Sequence, residues 1–234
     1  MADILKTARF YPLGDQAIVL SLGNTIDSQT YELIGRLSAY LEKNQQEGFA
    51  EFVPAFTSVT IFYNPLVINY DQAEYNLRSA LSSIGGPGTA TGVRVVEIPV
   101  CYGGLYGPDL GIVASHAGLS EGEVVHLHQT SEYQVYMIGF APGFPYLGGL
   151  DTCLATPRKD KPRTLVKAGS VGIAGKQTGI YSMDTPGGWQ IIGRTPLRLF
   201  DPESKDPVLL KAGDRIRFFA IDEDEFAHYV SHGN

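Results

Sequence analysis

Two stretches of this sequence carry residues that a fold alone does not ask for. The first is Gly139-Phe-Ala-Pro-Gly-Phe-Pro-Tyr-Leu-Gly-Gly-Leu150. Pro142 and Pro145 fix φ and remove backbone donors, while Gly143, Gly148 and Gly149 permit positive φ. Phe140, Phe144 and Tyr146 stand among them, so the segment is too broken for a regular strand or helix and too apolar for a solvated loop. It reads as a semi-rigid loop that either packs under the protein body or lines a pocket or partner surface. The second stretch runs from Gly169 to Tyr181 and resumes in Pro186-Gly-Gly-Trp-Gln190 and Gly193-Arg-Thr-Pro196. Gly169, Gly172, Gly175 and Gly179 give backbone that can be approached closely, and exposed N–H groups in such backbone can hold an anion or a carbonyl oxygen. Ser170, Gln177 and Tyr181 lie in the same stretch, and Gly187 and Gly188 precede Trp189 and Gln190. The tryptophan is either a core plug or a flat platform for a ligand or partner.

Between these stretches lies Pro157-Arg-Lys-Asp-Lys-Pro-Arg163, which is either a solvated charged loop or a source of cations for a carboxylate. A guanidinium matches a carboxylate with two parallel hydrogen bonds, so Arg158, Arg163 and Arg194 are the candidate catalytic or clamping residues. Other chemistries lack their signatures. The glycine spacing fits neither GxxxxGK[ST] nor a GxGxxG turn into a helix, and neither HExxH nor G-x-S-x-G occurs. His126 and His128 are two apart and would point to different faces of a helix, so no metal is assigned. His116 and His128 read as helix-surface or packing residues. Ser170 has no sequence-local base to make it a nucleophile. A complete active site is not evident.

Composition narrows the classes further. With 18 Lys and Arg against 25 Asp and Glu, the net charge of −7 argues against nucleic-acid binding, which needs a basic stripe. Cys101 and Cys153 form neither a disulfide framework nor a metal-type spacing and read as free thiols. No apolar run reaches the ~18 residues of a membrane span, and the first residues lack a signal-peptide pattern, so a cytoplasmic location is expected. The acidic run Asp222–Glu225 reads as the solvated start of a helix.

The elements that must position these residues follow from periodicity. Gln16–Leu22 reads as a strand, and a helix capped by Asp27 or Ser28 runs to about Lys43, with Tyr31, Ile34, Leu37 and Leu41 on one face. Phe49–Ala55 and Ser58–Tyr63 read as a hairpin, and Asp71 opens a second helix stopped by Gly85-Gly-Pro-Gly88. That glycine and proline cluster, with Thr89–Gly92 after it, marks a domain boundary: residues 1–88 as a small α/β sandwich, and 89–234 as a second domain. The second begins with strand Val93–Tyr102, then helices Asp109–Ala117 and Ser120–Gln129, the latter with a Ser120-x-x-Glu123 capping box. From Tyr133 onward come short strands punctuated by glycine: 133–140, 164–175, 178–183, 189–195, 197–200 and 208–221. Many short strands without intervening helices indicate a barrel or sandwich, and the fold class is α+β.

The chain resembles the KipI-like family, the B subunits of bacterial ATP-dependent 5-oxoprolinase, a group also called allophanate hydrolase subunit 1. The likeness is carried by Tyr11-Pro-Leu-Gly-Asp15, Ile98-Pro-Val-Cys-Tyr-Gly-Gly104, Gly107-Pro-Asp-Leu110, Gly118-Leu-Ser120 and Glu123-Val-Val125 with His128. It continues through Gly139–Gly148, Thr156-Pro-Arg158, Pro162-Arg163, Ala168–Ile173, Gln177-Thr-Gly179, Pro186–Gln190, Gly193–Pro196 and Leu199-Phe-Asp201. The resemblance implies a small N-terminal α+β domain followed by a cyclophilin-like β-barrel. It implies a KipA-type sister subunit and a LamB/YcsF-type subunit as partners, with ATP and Mg used by the whole complex to open 5-oxoproline to glutamate. Lys167 stands where the family usually has proline, which would loosen the start of that loop and add a charge. Two rivals remain open: a regulatory module that inhibits a sporulation-type histidine kinase, and a component of a urea carboxylase or allophanate hydrolase system. Prolyl isomerase activity would rest on fold analogy alone.

Overall fold

The computed structural model describes residues 8–24, 28–84 and 94–232. It divides into two compact units, Met1–Thr91 and Gly92–Asn234. Asp27, the Gly85–Gly88 cluster and Thr89–Gly92 lie outside the described residues.

In the first unit, strands β1 (Arg9–Pro12), β2 (Ala17–Ser21), β3 (Phe49–Pro54) and β4 (Ser58–Tyr63) form a sheet in the order β1-β2-β4-β3, all pairs antiparallel. Helices α1 (Ser28–Lys43) and α2 (Tyr70–Ile84) pack on the sheet face bearing Ile18, Leu20, Val59 and Ile61. Leu33, Leu37 and Leu41 of α1 and Ala73, Leu77, Ala80 and Ile84 of α2 supply the apolar stripes, at steps of three and four. Strand β1 was not evident in the sequence, because an exposed edge strand ending in proline shows no buried alternation. Helix α2 is opened by Asn69, one residue before the helix and not by Asp71: the Gln72 amide donates to Asn69 Oδ1 and the Asn69 amide to Gln72 Oε1, both at 2.9 Å.

The second unit contains β5 (Val95–Tyr102), α3 (Leu110–Ala117), α4 (Glu121–Thr130), β6 (Tyr133–Ile138), β7 (Pro145–Gly148), β8 (Arg163–Val166) and β9 (Ser170–Ala174). These are followed by β10 (Gln177–Ile180), β11 (Thr185–Gly187), β12 (Gln190–Arg194), β13 (Arg215–Ala220) and α5 (Glu223–His232). A closed barrel runs β10-β7-β6-β13-β5-β12-β9, with a separate β8–β11 ribbon. The α+β class therefore holds, and the barrel fits the cyclophilin-like expectation. Inside it pack the strand residues Ile98, Val100, Val135, Leu147, Val171, Ile173, Ile180, Ile192, Ile216 and Phe218. The Ser120–Glu123 capping box is present, the Glu123 amide donating to Ser120 Oγ at 3.3 Å and the Ser120 amide to Glu123 Oε2 at 2.8 Å. The Asp222–Glu225 run begins α5 with the same reciprocal pattern.

Two expectations are corrected. Pro145–Gly148 is a regular strand, paired with β6 and β10, because a proline is tolerated at a strand's first residue. Conversely 197–200 and 208–210 are not strands; a single bridge joins Phe200 to Val208.

Candidate functional site

Successive strand residues face opposite ways, so the barrel that buries Ile173, Ile180 and Ile192 inside must present Gly172, Gly179 and Ile191 outside. Over that outer face lies a second apolar cluster of Phe144, Val166, Ala174, Tyr181, Trp189 and Ile191, with Ala141 and Tyr146 against it. Glycine at 179 is what admits it: a Cβ there would lie 2.8 Å from the Pro145 carbonyl oxygen and 3.1 Å from both the Phe144 and Trp189 rings. The rings meet edge-on, Phe144 with Trp189 at 5.6 Å, Phe144 with Tyr181 at 5.3 Å and Tyr146 with Trp189 at 6.1 Å between centroids, the geometry that opposes ring edge to ring face. Trp189 is only 5% exposed, so it is a core plug of this face. Phe140 differs: it is 63% exposed, at φ 68°, the one non-glycine residue with positive φ among the described residues. Its ring touches the cluster edge, 5.4 Å from Phe144. Holding an aromatic residue in the left-handed conformation costs roughly 1–3 kcal/mol and persists only where the surroundings impose it.

The expected surface thus assembles in part. Phe140, Phe144, Tyr146, Gly179, Tyr181, Trp189 and Gln190 come together at this cluster. Gly187 lies under the Tyr181 hydroxyl, where a Cβ would come within 2.2 Å of it, and Gly188 sits beside Pro162. Pro142 is exposed in the loop, while Gly143 is buried at φ 73° against Leu199 and Phe200. The expected glycine cradle for an anion is not formed by the amides it was expected from. Gly169 N–H donates to the Tyr181 carbonyl at 2.7 Å and Gly175 N–H to the Thr156 carbonyl at 2.8 Å. Gly172 and Gly179 face one another in the β9–β10 ladder. Ser170 is buried, its carbonyl accepting from the Tyr181 amide at 2.8 Å, and Gln177 starts β10 opposite Ala174.

The three arginines separate. Arg194 donates to the Ala168 carbonyl at 2.8 Å and lies 5.9 Å from the Phe226 ring. Arg163 is spent on a residue that sequence reasoning did not single out, Asp109, with Nη2 to Oδ1 at 2.7 Å. Arg158 is exposed and makes no hydrogen bond or ion pair with any of the described residues; its guanidinium carbon stands 5.9 Å from the Trp189 ring. Burial holds the Tyr146 phenol above its ordinary pKa, and the positive charge of Arg158 works the other way. Lys167, the departure from the family's proline, does not loosen the loop start. Asp184 accepts from Lys167 Nζ and from the Ala168 amide, both at 2.8 Å, and so pins it.

Asp109 is the best-tied acid of this unit. It sits at the start of α3, only 2% exposed. Oδ1 accepts from Lys159 Nζ at 3.1 Å as well as from Arg163, and Oδ2 accepts from the Ile191 amide at 2.7 Å. Burial works against its charge, yet the bonds from Arg163, the Ile191 amide and Lys159 outweigh it and hold its pKa below the ordinary carboxylate value. In the sequence Asp109 was marked by its place in Gly107-Pro-Asp-Leu110, one of the blocks that carry the family resemblance, and by standing ahead of an apolar helix, where it reads equally as a plain cap.

Of the two expectations for His128, the packing one holds: its ring lies against Tyr133 and Phe218, away from this face. It is fully buried inside the barrel, Nδ1 2.8 Å from Tyr102 Oη and Nε2 3.2 Å from Thr178 Oγ1. Thr178 Oγ1 donates to the Gly172 carbonyl at 3.0 Å, so it accepts from His128 Nε2–H, leaving Nδ1 to accept from the Tyr102 hydroxyl. Burial lowers the His128 pKa to about 3, and the ring is neutral.

Residues 8–210 match the family described as carboxyltransferase domain, subdomain C and D. The chain belongs to this family. Within it, the 5-oxoprolinase B subunit of Bacillus subtilis (strain 168) is 45% identical over 232 residues, spanning 95% of this chain and 96% of that protein. The protein of the same name from Escherichia coli O157:H7 is 45% identical over 215 residues, spanning 92% and 96%. The crystal structure of TTHA0988 matches with a TM-score of 0.77 at 36% identity; it covers 88% of this chain, which spans 40% of that longer one. Urea amidolyase of Lachancea kluyveri is 39% identical over 73 residues, only 29% of this chain, so the urea alternative is matched distantly. The resemblance to the KipI-like B subunits therefore holds.

Three of the described helix starts do not suit the ATP phosphates that this resemblance implies. The first turns of α2, α4 and α5 carry Asp71, Glu121 with Glu123, and Glu223 through Glu225, whereas α1 has no acid there and Asp109 ahead of α3 is matched by Lys159 and Arg163. Acids at those helix starts repel a phosphate that a bare helix start would attract. No group of three or more His, Cys, Asp or Glu that could hold a metal ion occurs among the described residues. No described helix is long and apolar enough to cross a membrane.

Proposed function

We propose that this chain is the B subunit of an ATP-dependent 5-oxoprolinase and that its outer barrel face forms part of the substrate site. The observation that carries the proposal is 45% identity over nearly the whole length of a 5-oxoprolinase B subunit. In the overall reaction the lactam C–N bond of 5-oxoproline breaks, water gives hydroxide to the carbonyl carbon and a proton to the nitrogen, and glutamate results. A lactam is a weak electrophile, so the step is coupled to cleavage of ATP, whose terminal phosphoryl group passes in net to a second water to leave ADP and phosphate; no part of that chemistry is assigned to a residue of this chain. The contribution of this chain is to bind and orient. Arg158, with no internal partner, takes the ring carboxylate, while exposed Phe140 and half-buried Tyr146 provide the apolar wall beside it. Arg163 and Arg194, both engaged internally, support that face and do not touch substrate.

The remaining groups come from a KipA-type and a LamB/YcsF-type subunit in this proposal. The two compact units are taken as its two domains, the barrel domain bearing the site. Co-expression with both partners, followed by ATP-dependent release of glutamate from 5-oxoproline, tests it. Release that needs all of the subunits and ATP is expected. A purified, assembled complex that binds ATP but never opens the lactam would overturn the reading.

A further inference from the structure

We infer that Asp109 is a positioning residue for this face: it clamps the segment Pro157–Arg163 so that Arg158 is left free beside Trp189. The sequence of that segment, with four cations among seven residues, gives no reason for one of them to be special. The structure does. Pro157 is held by its carbonyl, which accepts from Gln190 Nε2 at 2.9 Å. Lys159 is held twice, its amide donating to the Gly188 carbonyl at 2.8 Å and its ammonium to Asp109 Oδ1 at 3.1 Å. Arg163 is held by the same carboxylate oxygen at 2.7 Å. Arg158 falls between the first two tethers, and its side chain is bonded to nothing described.

Asp109 is itself fixed by strand β12. Its amide donates to the Ile191 carbonyl at 2.8 Å and its Oδ2 accepts from the Ile191 amide at 2.7 Å. The residue thus joins the start of α3, the strand that carries Trp189's neighbour, and the basic segment. One buried carboxylate facing two partly exposed cations leaves a net positive charge on the cluster, and repulsion from Lys159 and Arg163 keeps Arg158 from collapsing onto the same anion. Without the carboxylate, Lys159 and Arg163 would be released to compete with Arg158 for an incoming anion. Asp109 acts through Arg158 and does not touch substrate. Its catalytic consequence rests on the function proposed above, whereas its structural consequence does not.

Trp189 is the only tryptophan of the chain, so its emission reads the position of Arg158 directly in the purified chain. Asp109→Asn keeps the shape and can still accept from the Ile191 amide, but loses the charge. Arg158→Gln is expected to shift the Trp189 emission, and Asp109→Asn to shift it too. In the Arg158→Gln background the Asp109→Asn shift is expected to disappear, because the effect runs through the arginine. A shift of the same size in both backgrounds, or none in either, would overturn the inference. Lys159→Met, which removes one tether at a partly exposed site, gives the same pattern at smaller size and covers the case in which Asp109→Asn does not fold. In the assembled complex, Asp109→Asn is expected to raise KM for 5-oxoproline about tenfold with kcat little changed, the mark of lost ground-state binding. A wild-type complex without activity would count against the function proposed above and leave the emission result standing.

Discussion

Strand β10 carries two assemblies back to back, and they differ in what they leave unfinished. Thr178 points into the barrel, where Tyr102, His128, Thr178 and the Gly172 carbonyl form a closed relay with every polar atom matched. The next residue, Gly179, faces outward beneath Phe144 and Trp189, where Arg158 stands with its guanidinium uncommitted. Both assemblies combine aromatic rings with a nitrogen base, and nothing in the residue types alone ranks one above the other. A closed network in a dry interior stabilises one structure and cannot receive a ligand. An open cation beside a rigid aromatic wall is the arrangement that recognition uses.

The largest effect expected from this comparison belongs to the interior. The folded-state pKa of His128, about 3, lies below the ordinary imidazole value. Between those two values the unfolded chain binds a proton that the folded chain does not, so acid favours unfolding. Stability linked to this histidine is therefore complete above about pH 6.5 and is lost as pH falls toward 3. Each unit of pKa difference corresponds to about 1.4 kcal/mol, so several kcal/mol are at stake. Denaturant midpoints measured from pH 7 to 4 should fall steeply for the wild type and more gently for His128→Gln. Equal slopes would mean that the relay is open to water.

Next in size is Gly179→Ala. The added methyl meets a backbone carbonyl at 2.8 Å, which cannot swing aside, and two rings at 3.1 Å. Overpacking of this kind costs typically 1–3 kcal/mol. Because the methyl points away from the barrel interior, the damage should fall on the aromatic face: the Trp189 emission changes while the pH slope from His128 persists. Were both to change together, the two assemblies would be one cooperative unit and the contrast between them would fail.

How much of this was readable in advance follows from how far each partner lies along the chain. Local rules succeeded where a feature is closed within a few residues, as in the Ser120–Glu123 box, the glycine-punctuated strands and the acidic start of α5. They failed where one strong local signal masked another: Pro145 argued against a strand whose first position tolerates it, and Asp71 drew attention from the Asn69–Gln72 pair beside it. Asp109 was beyond reach, since its partners Lys159, Arg163 and Ile191 are 50, 54 and 82 residues away. The candidate surface was legible as a set of residues, because glycine and aromatic side chains advertise close packing. Which arginine stays free was not, because that depends on which of the three finds an internal partner.

The smallest stability effect is the one most informative about function. Arg158→Gln removes a charge that contacts no described partner except the Trp189 ring at 5.9 Å. Surface substitutions of this kind change stability by no more than about 0.5 kcal/mol, so the thermal midpoint should be unchanged within error. Binding should suffer all the same, since the wild-type side chain has its full hydrogen-bonding capacity available for an incoming carboxylate. Arg158→Lys is the sharper variant: it keeps the charge but not the paired donors. If the lysine restores substrate affinity, the face offers only a positive field. If it does not, the guanidinium's geometry is what the substrate reads, and the free arginine outside the barrel differs in kind from the satisfied histidine within it.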